Sequence, residues 1–262
     1  MNNIYQHFRQ EERTFIDRSL DLLDRVEYNY ETITTDFLNP RQVFILTSLA
    51  YNRGLLVHSS SELIETELVK LIIAPDFYLL NEDDFDLSLI EIDYPSKFSS
   101  LSHSQILGNL LGQSGVDRSK FGDILVSSDC AQFFVDSKLS DFMIENIKKI
   151  SRTGVKLKKI PLSQALELNS SSLIEKVLTV SSLRLDKIIA ATFNISRNTT
   201  SSLIDQKLVK LNYSTIDKKE SMISPGDLIS VRGYGRVKLV DILSMTKKGK
   251  EKIKVEITKN KK

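Results

Sequence analysis

The spacing of apolar residues changes twice along this chain of 262 residues, and this restricts what it can fold into. Up to about residue 75 the apolar side chains recur mostly at steps of three and four, as on one face of a helix. Further on, strand-like runs alternate with helical stretches, and a third segment of mixed character follows residue 172. The sequence therefore predicts an α+β protein with a mainly helical N-terminal unit (residues 1–75), a middle domain (76–168) and a small α/β C-terminal domain (173–262).

The N-terminal unit is expected to hold three helices and one short strand. The clearest helix start is Asn39, which can cap a helix whose first residue is Pro40. A further proline, Pro75, follows the last helical stretch and limits it. The predicted elements are helices over Ile4–Tyr30, Asn39–Arg53 and Glu62–Ile73 and a strand over Leu55–Ser59.

The middle domain shows the element order β-α-β-β-α-β, which is the pattern of ferredoxin-like folds. Many RNA-recognition domains have this fold, but unrelated proteins have it too, so the order alone does not decide function. Phe133 and Phe134 fall on opposite faces of one strand, where one of them could stack on RNA, although packing of both is favoured. The predicted strands are 87–94, 123–127, 131–135 and 155–160, and the predicted helices are 102–111 and 139–150.

A cluster of glycines lies in the same domain around Arg118 and Lys120. Successive glycines allow backbone N–H groups to converge on an anion, so the cluster could form an anion cradle. Close packing of a helix on a sheet also requires small residues, and this second interpretation is favoured. The glycines are Gly108, Gly112, Gly115 and Gly122.

Charge is distributed unevenly between the C-terminal third of the chain and the rest. Residues 181–262 contain 18 Lys and Arg against 8 Asp and Glu, whereas residues 1–180 contain 18 against 26. The net charge of +2 therefore conceals a C-terminal third with a net charge of +10. Such a concentration favours a polyanionic partner, with nucleic acid as the first candidate and an anionic membrane surface as the second.

Two predicted helices of the C-terminal domain carry an arginine at their N-terminal end, where the helix dipole favours anions. Arg184 is expected in the first turn of a helix that starts near residue 182, and Arg197 follows Ser196, the expected N-cap of the next helix. A free helix N-terminus beside a guanidinium binds phosphate. The alternative is a local salt bridge, for instance from Arg184 to Asp186 or Asp205. Phosphate binding is favoured because four further cations accompany the pair: Lys207, Lys210, Arg232 and Arg236.

The segment from Arg232 to Arg236 places two arginines around Tyr234, with a glycine on each side of the tyrosine. In an RNA-binding protein the tyrosine would stack on an exposed base while the arginines hold phosphates. An ordinary glycine-rich turn with a packed tyrosine is the alternative, and it is favoured when this segment is considered alone.

Residue types suited to metal binding are few. Cys130 is the one cysteine, which excludes an intramolecular disulfide and a zinc site built from several cysteines, and it fits a reducing compartment. The three histidines, His7, His58 and His103, lie far apart without metal-ligand spacing. No apolar run is long enough to span a bilayer, and the N-terminus lacks the pattern of a signal peptide. We therefore expect a cytoplasmic protein without membrane insertion, metal or cofactor.

Several short segments of the C-terminal domain together resemble the small RNA-binding domain named after ribosomal protein S4. They are Leu183–Lys187, Ile195–Arg197, Leu203–Ile204, Val209–Asn212 and Pro225–Ile229. Further segments narrow the likeness to the YlmH family of Gram-positive bacteria, over nearly the whole chain. These are Val231–Arg236, Phe37–Arg41, Ala74–Tyr78 and the stretch from Leu107 to Leu125.

The resemblance implies a factor without catalysis that binds structured RNA through its C-terminal domain. Family members resemble the small factor that works with peptidyl-tRNA on the large ribosomal subunit in rescue of stalled translation, so ribosomal RNA, tRNA and that subunit are the implied partners. A lysine at position 207 replaces the usual glycine of the domain, so the turn there is expected to differ. The RNA-contacting residues that the family pattern implies are Arg184, Ser196, Arg197, Lys207, Lys210, Asn212, Arg232, Tyr234 and Arg236.

Two other functions stay open from the sequence. An RNA-modifying enzyme, such as a pseudouridine synthase or a methyltransferase, could use the C-terminal domain for targeting. The chain before the C-terminal third shows neither a catalytic aspartate motif nor a glycine-rich cofactor loop, which disfavours this interpretation. A cell-division scaffold with a protein partner is suggested only by the gene grouping of the family.

Overall fold

The computed structural model describes Phe8 and residues 12–167 and 173–259, with the side chain of Lys259 left out. The chain forms two compact units, one up to Leu168 and one from Asn169. The predicted α+β class is confirmed, since both units combine helices with antiparallel sheets. The predicted boundary at residue 75 lies inside the first unit and stays a prediction.

The N-terminal part of the first unit packs two helices on a small antiparallel sheet of order β1-β3-β2. Helix α2 starts as predicted: the Asn39 side chain accepts hydrogen bonds from the N–H groups of Arg41 and Gln42, and the Gln42 side chain accepts one from the N–H of Asn39. Helix α1 begins at Arg13 and ends at Asn29, inside the predicted range Ile4–Tyr30. The residues of that range before 12, apart from Phe8, lie outside the described part. The elements are α1 (Arg13–Asn29), β1 (Ile33–Thr34), α2 (Pro40–Tyr51), β2 (Leu56–Ser59) and β3 (Leu71–Ala74).

The predicted helix over Glu62–Ile73 is wrong. A single 3-10 turn spans Ser60–Glu62, and the apolar run that follows is β3, the central strand of the sheet. All four residues of β3 are buried, because neighbouring strands pair with it on both sides and the chain covers both of its faces. A short continuous apolar run cannot be assigned to helix or strand by periodicity alone.

The middle part has the predicted order and pairing of a ferredoxin-like fold. Its four main strands are antiparallel in the order β5-β6-β4-β9, and the two helices pack on one face of this sheet. A two-stranded hairpin between α4 and β9 was not predicted. The elements are β4 (Leu87–Asp93), α3 (His103–Ser114), β5 (Phe121–Val126), β6 (Ala131–Asp136), α4 (Ser137–Asn146), β7 (Lys149–Ile150), β8 (Thr153–Gly154) and β9 (Lys156–Ile160).

The other face of this sheet is covered by the chain itself. Phe37 packs over it with Phe134, and a Cβ atom on Gly122 would lie 2.6 Å from Cε1 of Phe37. Phe133 is buried on the helix side and Phe134 on the covered side, as favoured from the sequence. RNA-recognition domains stack bases on an open sheet face. That face is closed here.

Gly122 is the only member of the predicted glycine cluster at which a Cβ would clash. At Gly108, Gly112 and Gly115 a Cβ would meet no atom within 4 Å, and Gly115 ends α3 in the left-handed conformation with φ of 65°. The cluster therefore serves packing at one position and helix termination at another.

The second unit is a six-stranded antiparallel sheet of order β10-β15-β14-β13-β11-β12, with two helices packed on one face. The helices bury Leu185, Ile188 and Ile204 against alternate residues of the strands. The elements are β10 (Leu173–Val180), α5 (Leu185–Phe193), α6 (Arg197–Asp205), β11 (Val209–Leu211), β12 (Ser214–Thr215), β13 (Leu228–Val231), β14 (Gly235–Met245) and β15 (Glu251–Lys259).

No helix among the described residues is long and apolar enough to cross a membrane.

Candidate nucleic-acid interface

Three neighbouring strands of the C-terminal sheet place polar side chains in one row. Lys210 of β11 pairs with Ser230 of β13, and Ser230 pairs with Arg236 of β14. The residues beside them in sequence, such as Val209 and Val237, are buried under the helices. Since side chains alternate along a strand, the row lies on the face away from the helices. The cations on this face, Lys210 and Arg236, are exposed and lie outside the hydrophobic core.

A cavity of about 420 Å³ opens beside this row. Its lining includes four cations, Lys207, Lys210, Arg232 and Arg236, which we call the basic cleft. All four side chains are exposed, and no carboxylate lines the cavity among the described residues. Within the same part of the chain, Lys207, Lys210 and Arg232 form no ion pair. The charges of these three are therefore available to an anionic ligand.

Lys207 takes a left-handed backbone conformation, which glycine adopts most readily. Its φ is 57°, and its N–H donates to Ile204 O at 2.9 Å while Leu208 N–H donates to Leu203 O at 3.0 Å. These two bonds form a Schellman motif at the end of α6. The expectation that this turn differs from the usual one of the domain stays a prediction. A lysine adopts the left-handed conformation at a steric cost of about 1 kcal/mol and places its ammonium at the cleft.

The loop from Arg232 to Arg236 is held by backbone hydrogen bonds to two residues that line the cleft. Arg232 N–H donates to Leu208 O at 2.9 Å, and Tyr234 N–H donates to Val231 O at 3.0 Å. Gly233 has φ of 84°, which a residue with a side chain rarely adopts. Tyr234 packs against Phe193, with ring centroids 5.7 Å apart. The structure thus holds the tyrosine by packing, and its stacking on a base stays a prediction.

Arg184 differs from its predicted placement. Helix α5 begins at Leu185, and Arg184 is its N-cap residue rather than part of its first turn. The guanidinium donates two hydrogen bonds to Asp186, at 3.0 and 3.1 Å, and lies 3.5 Å from Glu220. The local salt bridge considered as the alternative is thus present. Contact of Arg184 with RNA stays a prediction. It requires the guanidinium to leave Asp186 and Glu220 and to bind a phosphate group instead.

Ser196 and Arg197 lie where the sequence placed them. The Ser196 hydroxyl accepts a hydrogen bond from Thr199 N–H at 3.0 Å and caps α6. Arg197 is the first residue of this nine-residue helix, is exposed and forms no ion pair among the described residues. The combination of a helix N-terminus and an unpaired guanidinium suits a phosphate group.

Asn212 has an internal role. It has φ of 49° in the tight turn between β11 and β12, and its side-chain amide donates to Asp227 Oδ1 at 2.6 Å. Its side-chain oxygen accepts from Leu228 N–H at 2.8 Å. Asn212 therefore ties this turn to the start of β13, and its contact with RNA stays a prediction.

The structure brings together four of the nine predicted site residues, those of the basic cleft. The other five, Arg184, Ser196, Arg197, Asn212 and Tyr234, do not line this cavity. Ser230, whose side chain lies between Lys210 and Arg236, was missed, although its place in an alternating strand was visible in the sequence. No group of three or more His, Cys, Asp or Glu side chains within the described residues could hold a metal ion. The cleft can bind a polyanion through charge-assisted hydrogen bonds.

Comparison with known proteins agrees with this arrangement. A family model described as "S4 domain" matches residues 183–229, which include Lys207 and Lys210 of the cleft and end before Arg232 and Arg236. Two further models, "YlmH, N-terminal" and "Putative RNA-binding domain in YlmH", match residues 11–78 and 81–164. The fold and the cationic cleft thus define an RNA-binding protein of the S4-domain class.

The full length of the chain has a close curated relative. "Ribosome-associated protein quality control protein P2" of Bacillus subtilis (strain 168) is 35% identical over 258 residues, which cover 98% of this chain and 99% of the relative. A solved structure named "Cell division protein ylmH from Streptococcus pneumoniae" is 37% identical, covers 62% of this chain and 99% of its own, and superposes with a TM-score of 0.56. The chain belongs to the YlmH family. The names in this family point to RNA-binding, ribosome-associated proteins rather than enzymes.

Proposed function

We propose that this protein is a cytoplasmic factor without catalysis that binds the large ribosomal subunit and acts in quality control of stalled translation. Its C-terminal domain contacts ribosomal RNA, tRNA or both. The name of the Bacillus subtilis relative supports the process, and the basic cleft supports the ligand. The cleft is the observation on which the proposal depends.

The cleft suits the sugar–phosphate backbone of folded RNA better than a small anion. Its cations come from the end of α6, from β11, from the loop before β14 and from β14 itself, so they are spread over an open surface. Guanidinium groups bind phosphate oxygens in pairs, and lysines add point charge without strict geometry. Such contacts position RNA without reading its sequence.

Two other roles carry less support. A modifying enzyme would need reactive groups in the first unit, and its glycine cluster serves packing and helix termination instead. A cell-division scaffold rests on the name of the pneumococcal structure. Its protein partner would stay bound after RNase treatment of a cell extract, whereas a ribosomal association would be lost.

Sedimentation with purified ribosomal subunits tests the proposal. The variant Lys210→Gln/Arg232→Gln removes two cleft charges, and Lys176→Gln/Lys218→Gln removes two exposed charges that do not line the cleft. We expect the wild type and Lys176→Gln/Lys218→Gln to pellet with large subunits. Lys210→Gln/Arg232→Gln should lose about 10-fold in affinity, because each lost phosphate contact removes the favourable free energy of counterion release. Equal binding of both variants, or equal binding to small subunits, would contradict the proposal.

The variant Arg184→Glu/Arg197→Glu tests separately whether the arginines at the N-terminal ends of α5 and α6 bind the ribosomal subunit. We expect this variant to lose sedimentation while its far-ultraviolet circular dichroism stays that of the wild type. Arg197→Glu alone should account for most of the loss, because Arg184 is already engaged by Asp186.

A further inference from the structure

The family model that matches the middle domain is described as RNA-binding but assigns no surface to this role. We propose that the middle domain contacts RNA through the hairpin β7–β8 and the edge strand β9. The site consists of six exposed cations, which we call the β9 patch: Lys148, Lys149, Arg152, Lys156, Lys158 and Lys159. The inference rests on the proposed RNA-binding function and adds a second attachment point in the other compact unit. Its ligand is the phosphate backbone of the same class of folded RNA.

The patch stands out against the charge of its surroundings. Residues 1–180 hold 18 Lys and Arg against 26 Asp and Glu, and six of those 18 fall within residues 147–160. No Asp or Glu occurs in that segment. A local run of cations in an otherwise acidic unit concentrates positive potential where a polyanion can reach it.

The fold presents these cations outward. Within the described part of the chain, strand β9 pairs with β4 alone, so it lies at the edge of the sheet. Leu157 is buried in the core on the helix side, so Lys156 and Lys158 point away from the helices, and both are exposed at the edge of the sheet, beyond the part that Phe37 covers. Lys148 and Lys156 line one cavity of about 480 Å³ together with Tyr94, Gly154 of the hairpin and one carboxylate, Asp93. The hairpin and the strand therefore form one surface.

The nearest carboxylates do not neutralise this surface. Glu91 and Asp93 of β4 lie opposite Lys158 and Lys156 in the strand register. Among the described residues neither lysine forms an ion pair within 4.0 Å, and neither do Lys149 and Arg152. Lys148 differs, since its Nζ donates to Ile144 O at 2.9 Å and satisfies the end of α4.

The closed sheet face makes the edge the available surface of this domain. Bases cannot stack on the sheet face away from the helices where Phe37 and Phe134 pack. A basic edge strand can also serve to prevent pairing with another sheet. That role accounts for Lys156 and Lys158 but does not require the cations of the hairpin, Lys149 and Arg152. Phosphate binding accounts for all of them.

Lysine acetylation of the full-length protein, with and without a folded transcript of large-subunit ribosomal RNA, tests the inference. Mass spectrometry of the labelled protein reports each lysine separately. We expect RNA to lower the reactivity of Lys156 and Lys158 about fivefold or more. Lys138, which is exposed at the other end of α4, should keep its reactivity.

Affinity for the same transcript gives an independent readout. Lys156→Gln/Lys158→Gln and the control Arg18→Glu each change the net charge by two units, and Arg18 lies in α1. We expect the patch variant to bind about five- to tenfold more weakly than the control, with a salt dependence shallower by about 1 to 2 in log–log slope.

The outcomes separate this inference from the proposed function. If the patch lysines stay reactive and their variant binds like Arg18→Glu, while Lys210→Gln/Arg232→Gln binds about 10-fold more weakly than the wild type, the patch is not an RNA site and the cleft is. If the cleft variant also binds like the wild type, or the wild type does not bind the transcript, both proposals are overturned.

Discussion

Lys70 and Asp136 form a buried ion pair between the N-terminal sheet and the middle sheet, with Nζ 3.0 Å from Oδ2. The two side chains are 1% and 9% exposed. Lys70 also donates to Asp86 O at 3.1 Å, and Asp136 caps α4 by accepting from Lys138 N–H at 3.1 Å. The pair thus joins two parts of the first unit through one contact whose partners are strongly desolvated.

Replacing one residue of this ion pair should lower the free energy of unfolding more than replacing both. Asp136→Asn keeps an N-cap but leaves the Lys70 ammonium buried without its counterion, for which we expect a loss of about 3 kcal/mol in the free energy of unfolding. In Lys70→Met/Asp136→Asn the buried charge is gone, and the loss should be smaller. Urea unfolding of both variants measures this. A double variant that is less stable than Asp136→Asn would contradict the account.

The same pair predicts a loss of stability in acid. Burial raises the pKa of Asp136, but the hydrogen bond and the charge of Lys70 outweigh this and hold that pKa below the usual value for an aspartate. The stabilisation is therefore complete at neutral pH and is lost as the pH falls below about 4 towards the folded-state pKa. Urea unfolding between pH 5 and pH 2 should show a shallower decline for Asp136→Asn than for the wild type. Parallel declines would contradict the assignment.

Gly122 and Gly108 predict opposite effects of the same substitution. Gly122→Ala forces a Cβ against Phe37, and we expect a loss of about 1–3 kcal/mol from this overpacking. Gly108→Ala places a Cβ in open space on α3 and should stabilise by about 0.5–1 kcal/mol, because alanine favours helix. Thermal unfolding of the two variants checks this. Equal melting temperatures would show that Phe37 does not cover the sheet.

Lys207 combines backbone strain with a cationic role, so its replacement by glycine should separate stability from binding. Lys207→Gly relieves the left-handed strain, and we expect a gain of about 0.5–1 kcal/mol in stability. It also removes one cleft charge, so RNA affinity should fall several-fold. Chemical unfolding and an RNA-binding titration on the same sample measure both effects. Lower stability with unchanged affinity would be the contrary result.

The elements that sequence reasoning located best are those with local signals. Helix α2 has its cap in Asn39 and Pro40, and α6 has Ser196, because a capping side chain and its backbone partners are close in sequence. Strand β3 was missed because its burial depends on two strands that are distant in the chain. Local patterns do not encode such pairing.

The candidate site was predicted in its residue types but not in its grouping. Arg184 and Asp186 are only two residues apart, yet whether they pair depends on the start of α5, which lies later than expected. The basic cleft depends on the register between β11, β13 and β14, which no sequence pattern specified. The β9 patch could not be recognised from the sequence, because it depends on the position of β9 at the edge of the sheet.

The salt dependence of RNA affinity tests the central claim most directly. Binding of folded ribosomal RNA is titrated at several salt concentrations for the wild type, Lys210→Gln/Arg232→Gln and Lys176→Gln/Lys218→Gln. If the basic cleft grips the phosphate backbone, only the first variant loses affinity, and its log–log salt slope is shallower by about 1 to 2 than that of the wild type. Identical slopes and affinities for the two variants would contradict the account.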